Sequence, residues 1–303
     1  MGDDGACPYF WPIGDRHILL HFSHRRGGKW LLGDYDAQRN KFVVTNGGDF
    51  NHGPVSPSGV HAPTAAPDGQ GGVIVLFNMN EAKPSPGWNQ IMTLPRRLTL
   101  GADGTLRQEP AGAVASLRQA RQVQAAMTLP ANQEVVLPQI RGNAMEILAE
   151  IDPGDAPMVE LNVLRSPGKE EYTRIAFFRE RGTYQGRNYV RPRPADWKSE
   201  YKSLLTIDSS YSSVLPDVRS RAPETAPLLL ARGETLKLRI FIDRSVVEVF
   251  ANGRQCVALR VYPGLADSTG VSLRSQGRDS KLVSLGAWQM RSIYADQPVP
   301  PAP

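Results

Sequence analysis

Apolar and polar positions alternate over short stretches along most of this 303-residue chain, and turn-forming residues separate one stretch from the next. Alternation with a period of two is the pattern of a half-buried β-strand, and frequent turn residues are typical of antiparallel sheets. The sequence therefore predicts an all-β protein. In the first third, the predicted strands are residues 17–23, 30–34, 41–45, 73–78 and 89–100.

The segment from Leu236 to Pro263 carries the strongest hairpin signal. It contains three β-branched runs, and the second turn holds Asn252 and Gly253, a pair that supplies the positive φ angles of a tight hairpin. Together with further alternating runs from residue 144 onward, it predicts a β-sandwich over residues 131–295. The predicted core residues of this sandwich are Leu238, Ile240, Ile242, Val247, Val249, Val257, Leu259 and Trp288.

One segment departs from the strand pattern. Residues 113–126 consist mostly of strong helix formers and predict a helix, within a linker over residues 108–130. Residues 1–107 form the predicted first domain, and their stretch from 47 to 72, rich in Gly, Pro, Ser and Asn, is consistent with one long loop. The proline-rich residues 296–303 cannot join a sheet and are predicted to be a disordered tail.

Composition is ordinary for a globular protein, with 41% hydrophobic and 21% charged residues. The net charge of +5 arises from scattered basic residues, and the densest basic stretch, residues 179–193, is interpreted as a solvated loop beside a strand edge. No nucleic-acid partner is therefore predicted. No apolar run is long enough to span a membrane, so no membrane partner is predicted either.

The two cysteines and the N-terminus bear on the cellular compartment. Cys7 and Cys256 are expected to be buried free thiols, and a disulfide between them in an oxidising compartment stays the alternative. The first residues lack the basic and apolar regions of a signal peptide. The expected location is therefore cytoplasmic, or extracellular if an N-terminal segment is missing.

Short motifs spread along the chain add a second kind of information. They are the run Cys-Pro-Tyr-Phe-Trp-Pro-Ile-Gly-Asp at residues 7–15, Gly-Asp-Tyr-Asp at 33–36, His-Ala-Pro at 61–63, Met-Thr-Leu-Pro-Arg at 92–96 and the hairpin segment at 236–263. In this order, over almost the whole chain, they resemble glycoside hydrolase family 32, the invertases, inulinases and levanases that act on fructosides.

The resemblance implies a five-bladed β-propeller followed by a β-sandwich, with about two blades in this chain. It implies retaining hydrolysis of β-fructofuranosides such as sucrose, inulin or levan, in which a nucleophilic carboxylate and a carboxylic acid flank the fructosidic bond. No cofactor is implied. The family's nucleophile motif, Trp-x-Asn-Asp-Pro-Asn-Gly, does not occur here. The chain therefore resembles the C-terminal half of the family and is expected to be inactive alone.

Two other interpretations stay open. The chain is either a non-catalytic carbohydrate-binding or structural sandwich module, or a half-enzyme completed by another chain. Two propeller blades without neighbours leave apolar faces and strand edges uncovered. Besides a fructoside or fructan substrate, the expected partners are therefore a missing N-terminal propeller segment or a second copy of the chain.

The acid position of the family is altered here. The resemblance places a glutamate directly before Cys7, but this chain has Ala6 there. An inserted version of the motif, with an acidic pair ahead of the cysteine, matches Asp3 and Asp4, which are therefore the candidate acid/base residues. The simpler interpretation of this pair is two solvated residues at a chain end.

Five residues are candidates for substrate binding. Asn80 and Glu81 have groups that hydrogen-bond sugar hydroxyls, and strand capping is the alternative role. Trp88 either lines the pocket or packs against a strand, and packing is the favoured interpretation. The complete candidate set is Cys7, His24, Asn80, Glu81 and Trp88.

No metal site is predicted. His17, His21 and His24 are spaced by four and three residues, which would place them on one face of a helix. The local pattern is that of a strand, so His24 lies on the opposite face from the other two and three-ligand coordination is unfavourable.

Overall fold

The computed structural model describes residues 4–182 and 202–294, which form β-strands and a single short 3-10 helix. The predicted all-β class is confirmed. No helix in the described part of the chain has the length and apolar character needed to cross a membrane. The predicted tail at residues 296–303, and residues 183–193 of the basic stretch, lie outside the described residues.

The first sheet is an antiparallel meander in which each strand pairs with the next along the chain. Its buried face carries Ile18 and Leu20. Its opposite face carries Phe10 and Tyr35, which are 40% and 41% exposed and have their ring centroids 5.9 Å apart. The strands are β1 (Ala6–Ile13), β2 (Arg16–Ser23), β3 (Gly27–Asp36) and β4 (Lys41–Asp49).

The second sheet packs against the buried face of the first. Strands β5, β6, β8 and β9 pair in that order, and the short β7 pairs with β6. Val75 and Phe77 of β6 join the core that also contains Leu20 of the first sheet. The strands are β5 (Val60–Pro67), β6 (Val73–Met79), β7 (Ile91–Met92), β8 (Arg96–Leu100) and β9 (Leu106–Pro110).

The interpretation of residues 47–72 as one loop is wrong, because residues 60–67 form β5 and pair with β6. Pro63 and Pro67 sit in β5 without breaking the sheet, since β5 is an edge strand. The predicted domain boundary near residue 108 stays a prediction, although β9 continues to Pro110.

Two larger sheets form the predicted β-sandwich. The third sheet has the strand order β10-β22-β13-β18-β19-β20, with β11 pairing β22. Its strands are β10 (Arg118–Gln124), β11 (Met127–Leu129), β13 (Ala144–Asp152), β18 (Leu236–Asp243), β19 (Val246–Ala251), β20 (Gln255–Arg260) and β22 (Ser280–Met290).

The fourth sheet covers the inner face of the third and has the order β12-β21-β14-β15-β16-β17. All its ladders are antiparallel. Its strands are β12 (Glu134–Arg141), β14 (Met158–Arg165), β15 (Thr173–Gly182), β16 (Lys202–Asp208), β17 (Glu224–Pro227) and β21 (Gly270–Gln276).

The sandwich core agrees closely with the hairpin pattern of the sequence. Asn252 and Gly253 have φ angles of 51° and 62°, as the predicted tight turn between β19 and β20 requires. Trp288 was a wrong core prediction, because it lies half-buried on the outer face of the third sheet under the guanidinium of Arg118. The confirmed core residues are Leu238, Ile240, Ile242, Val247, Val249, Val257 and Leu259.

The helix predicted over residues 113–126 is wrong. The chain makes one 3-10 turn at Val114–Leu117 and then enters β10, which pairs with β22 at the edge of the third sheet. A helix of this length is marginal in water without an apolar face to bury. Pairing with β22 instead satisfies the backbone and places Arg118 beside the buried Glu146, with Nη2–Oε1 at 2.7 Å. Tertiary pairing therefore overrides local helix propensity.

The sandwich also contacts the first two sheets. Val246 and Ala258 of the third sheet are buried in the core of the first two sheets. The backbone N–H of Gln108 in β9 donates to the carbonyl oxygen of Gly253 at 3.0 Å. The sandwich therefore covers part of the apolar surface that was expected to need a partner.

Candidate functional site

The residues ahead of β1 and after β2 meet at one end of the first sheet. The backbone N–H of His24 donates to Oδ1 of Asp4 at 3.3 Å, and Nδ1 of the His24 ring hydrogen-bonds Oδ2 of the same carboxylate. The side chains are 45% exposed for Asp4 and 67% exposed for His24. Two candidates separated by 20 positions in the chain are thus in direct contact. Asp3, the other candidate acid, lies outside the described residues.

His61 of β5 extends this site onto the second sheet. Its ring lies 4.1 Å from that of Phe22, which in turn lies 4.7 Å from the ring of His24, measured between centroids. Burial lowers the pKa of His61, and the neighbouring His24 lowers it further. The neutral imidazole is therefore favoured, with one ring nitrogen as a donor and the other as an acceptor.

A chain of side-chain amides continues from His61. Nδ2 of Asn78 lies 3.1 Å from Nδ1 of His61 and donates to Oε1 of Gln90 at 2.7 Å. Nε2 of Gln90 donates to Oδ1 of Asn80 at 3.2 Å. Asn80 is buried, and its own Nδ2 donates to the carbonyl oxygen of Val55 at 2.9 Å. Asn80, one of the predicted candidates, is therefore the buried end of this hydrogen-bond network.

Asp4, His24, His61, Asn78 and Gln90 together form what we term the polar wall. It combines one carboxylate with imidazole and amide groups that donate and accept hydrogen bonds, the donor and acceptor types that recognise sugar hydroxyls. His61, Asn78 and Gln90 were not among the predicted site residues. The available signal was the His-Ala-Pro motif at residues 61–63, which begins with this histidine.

Glu81 faces away from the polar wall. Its Oε1 accepts a hydrogen bond from Nη2 of Arg219, in a sandwich loop, at 3.0 Å. The backbone N–H of Glu81 and the guanidinium of Arg219 lower the pKa of the Glu81 carboxyl. The position of Glu81 is that of a residue joining the second sheet to the sandwich.

Trp88 also lies at the junction with the sandwich. The guanidinium of Arg260 lies 5.1 Å from the centre of the Trp88 ring, and the Trp88 side chain is 49% exposed. Cation–π contact with this buried arginine orients the indole.

Cys7 and Cys256 are free thiols, as predicted. The expectation that both are buried is wrong for Cys7, which is exposed. The pairing of β1 with β2 shifts register between Ala6 and Tyr9, and Cys7 has a φ angle of 48°. Such a bulge re-aims the side chains next to it.

The three histidines near β2 have separate environments. His17 stacks on Phe10 with ring centroids 5.2 Å apart, His21 is 6% exposed, and His24 contacts Asp4. Across residues 4–182 and 202–294, no group of three or more His, Cys, Asp and Glu side chains is arranged to hold a metal ion.

The family model for the C-terminal region of glycosyl hydrolases family 32 matches residues 113–289, more than half of the chain. The chain belongs to glycosyl hydrolase family 32. The family resemblance stated from the motifs is confirmed.

Two relatives show how much of a family 32 protein this chain represents. It is 26% identical over 320 residues to the cell-wall β-fructofuranosidase of Pisum sativum, covering 86% of the chain and 54% of the relative. It is 26% identical over 286 residues to the levanase of Bacillus subtilis (strain 168), covering 90% of the chain and 39% of the relative. The chain thus spans about half the length, or less, of these relatives.

Among solved structures, fructan 1-exohydrolase IIa from Cichorium intybus superposes with a TM-score of 0.77 at 18% identity. The superposition covers 95% of this chain and 62% of the exohydrolase. At this identity the likeness concerns the fold, and the overlap extends over the first two sheets as well as the sandwich.

Proposed function

We propose that this chain is the C-terminal half of a β-fructosidase and hydrolyses β-fructofuranosides when the remaining part of the catalytic domain is present. In this proposal the first and second sheets are two blades of a five-bladed propeller. The sequential antiparallel order of both sheets, their face-to-face packing and the family membership support it.

The contact between Asp4 and His24 is the observation that carries the proposal. Retaining hydrolysis needs a carboxylic acid that protonates the leaving-group oxygen. Two hydrogen bonds from His24 fix the Asp4 carboxylate at the edge of the polar wall, where it remains exposed. Asp4 is thereby positioned to act as the acid, and His24 orients it.

The second carboxylate has to come from outside this chain. A retaining enzyme places its nucleophile about 5–5.5 Å from the acid, and the family's nucleophile motif is absent from the sequence. The substrate is proposed to be sucrose, inulin or levan, whose fructosyl hydroxyls match the donors and acceptors of His61, Asn78 and Gln90. No cofactor is needed for this chemistry.

The test is complementation. The purified chain is assayed for fructose release from sucrose, inulin and levan, first alone and then fused behind the missing N-terminal blades of a family 32 relative. We expect no measurable release by the chain alone and clear release by the fusion. The matched control fusion carries Asp→Asn at the nucleophile of the added blades and should be inactive.

Two outcomes would contradict the proposal. Ordinary enzymatic rates from the chain alone would mean that it contains its own nucleophile. A folded fusion without activity would favour the second candidate, a non-catalytic carbohydrate-binding module, for which the absent nucleophile motif is the supporting observation. In that case fructan binding by the chain should persist without turnover.

A further inference from the structure

A cavity of about 280 Å³ lies at the junction of the second sheet with the sandwich, away from the polar wall. It is bounded by the loop before β5, the segment after β6, the loop between β16 and β17, and the end of β20. Among the described residues, three arginines and six serines line it, and no aspartate or glutamate does. The arginines are Arg219, Arg221 and Arg260.

The positive charge of this cavity is only partly neutralised. Arg219 pairs with Glu81 at 3.0 Å and Arg221 pairs with Glu224 at 2.8 Å, and neither carboxylate is among the described residues that line the cavity. Arg260 forms no salt bridge with any carboxylate in the described part of the chain. Its guanidinium instead donates to the backbone oxygen of Ser245 at 3.2 Å and to the Ser245 hydroxyl at 3.3 Å.

Arg260 is 1% exposed, and its guanidinium lies between the rings of Trp88 and Tyr262, 5.1 Å from each centroid. Burial lowers the pKa of Arg260, yet a guanidinium stays charged in proteins. Glu81, the carboxylate that acts electrostatically on Arg260, is already paired with Arg219, so an anion bound nearby would stabilise the buried guanidinium.

Arg221 is fixed before any ligand arrives. Its Nε donates to the carbonyl oxygen of Pro57 and its Nη2 to that of Pro54, both at 2.8 Å. Its side chain is 1% exposed, and its Nη1 has no hydrogen-bond partner among the described residues. A guanidinium held in this way loses little conformational entropy when it binds an anion.

We infer that this cavity binds a small tetrahedral oxyanion, a phosphate or sulfate group, either free or as the ester of a sugar-sized molecule. Guanidinium groups and serine hydroxyls are the side chains that hydrogen-bond such oxygens, and charge-assisted bonds of this type are the strong ones. The volume accommodates the anion together with a small polyhydroxylated body. The bound anion would contact both the second sheet and the sandwich.

The first experiment is titration calorimetry of the whole chain with inorganic phosphate, against sodium chloride at equal ionic strength. We expect saturable binding of one phosphate per chain and no response to chloride. Absence of phosphate binding up to tens of millimolar, in protein with an intact circular dichroism spectrum, would overturn the inference.

Variants locate the binding. Ser209→Asp places a carboxylate in the cavity, and we expect phosphate affinity to fall at least about tenfold through like-charge repulsion. Ser116→Asp makes the same change of charge on an exposed residue of the 3-10 turn and should leave affinity unaltered. If Ser209→Asp fails to fold, Ser220→Asp, at an exposed position of the cavity rim, replaces it. Unchanged phosphate binding in the folded cavity variant would refute this site.

Three further ligands distinguish the sources of the oxyanion. Sulfate binding as tightly as phosphate indicates recognition of the tetrahedral anion itself. Tighter binding of fructose 6-phosphate than of phosphate indicates a sugar ester as the ligand. Fructose binding as tightly as fructose 6-phosphate would overturn the inference, because the anion would then contribute nothing. All these measurements are independent of fructosidase activity.

Discussion

Arg96 of β8 and Glu248 of β19 form a salt bridge between the second sheet and the sandwich, with Nη2 and Oε2 3.1 Å apart. The side chains are 0% and 3% exposed. The other carboxylate oxygen of Glu248 accepts the backbone N–H of Leu94 at 2.6 Å. The guanidinium also lies 5.3 Å from the ring centre of Phe77 and 5.7 Å from that of Phe250, so the pair is enclosed by apolar groups from both sides.

Removing one charge of this pair should be costly. Glu248→Gln leaves the buried Arg96 without its salt-bridge partner, and we expect the free energy of unfolding to fall by about 3–5 kcal/mol. Urea denaturation followed by circular dichroism measures this. The control is Asp217→Asn, which removes the exposed ion pair with Lys83 across the same junction and should cost much less, because exposed ion pairs contribute little to stability. Equal losses in the two variants would contradict the argument.

Much of this fold could be predicted from the sequence. Period-two alternation distinguishes the buried from the exposed face of a strand, and turn residues mark where a strand ends. Val247 and Val249 were predicted in the core, and Asn252-Gly253 in a tight turn, since both properties are local. The strand β10 could not be predicted in this way. Its alanine, arginines and glutamines favour a helix, and only the distant β22 makes an extended conformation favourable.

Glu171, between β14 and β15, is predicted to stabilise two sandwich loops. It is 0% exposed and accepts backbone N–H groups of Val214, Gly264 and Leu265 at 2.7, 2.7 and 3.0 Å. Glu171→Gln replaces one acceptor oxygen by an NH₂ group facing donors, and we expect a loss of about 2–4 kcal/mol in unfolding free energy. The matched control is Glu170→Gln at the neighbouring, exposed position, which should lower the unfolding free energy much less.

Stability should decrease in acid partly through Glu134 of β12. Burial acts to raise the pKa of its carboxyl, but hydrogen bonds from Arg165, Ser272 and Lys169 outweigh burial and lower that pKa from 4.5 to about 2. Because the folded-state pKa is depressed, the stabilisation is complete above pH 4.5 and disappears as the pH falls towards 2.

The corresponding measurement is the unfolding free energy of Glu134→Gln at several pH values. The variant should be less stable than the parent by about 2 kcal/mol at pH 7, allowing for solvent screening, and nearly equal to it at pH 2. Glu109→Gln, at an exposed position without an ion pair in the described part of the chain, should leave the pH dependence unchanged. A constant difference for Glu134→Gln at all pH values would exclude this explanation.

Asp4 is predicted to be the acid in the complemented enzyme. Asp4→Asn keeps the shape but cannot donate a proton, so kcat for sucrose should fall about 100-fold or more, with a small change in KM. Asp3→Asn should have the smaller effect, and Asp15→Asn, in the exposed turn after β1, should have none. A larger loss for Asp3→Asn would transfer the role of acid to that residue.

The site could be predicted only in part. Asp4 was predicted from the family motif and His24 from the histidine spacing along a predicted strand, but their contact depends on the pairing of β1 with β2, which brings the two strand ends together. His61 packs on Phe22 of the first sheet, and Gln90 joins the polar wall through Asn78 of its own sheet. No local sequence pattern reports these contacts. The side chain of Glu81 instead forms an ion pair with Arg219, 138 positions later in the chain, and is not part of the polar wall.

The two cysteines differ in exposure, and this difference allows a label to be attached close to the polar wall. Burial raises the pKa of the Cys256 thiol to about 12, so at neutral pH it holds almost no thiolate and stays unreactive. Cys7 is exposed, three positions after Asp4. A maleimide fluorophore should therefore attach to the unaltered chain at Cys7 and not at Cys256. The emission of the label at Cys7 would then change when a further segment or chain binds next to the polar wall.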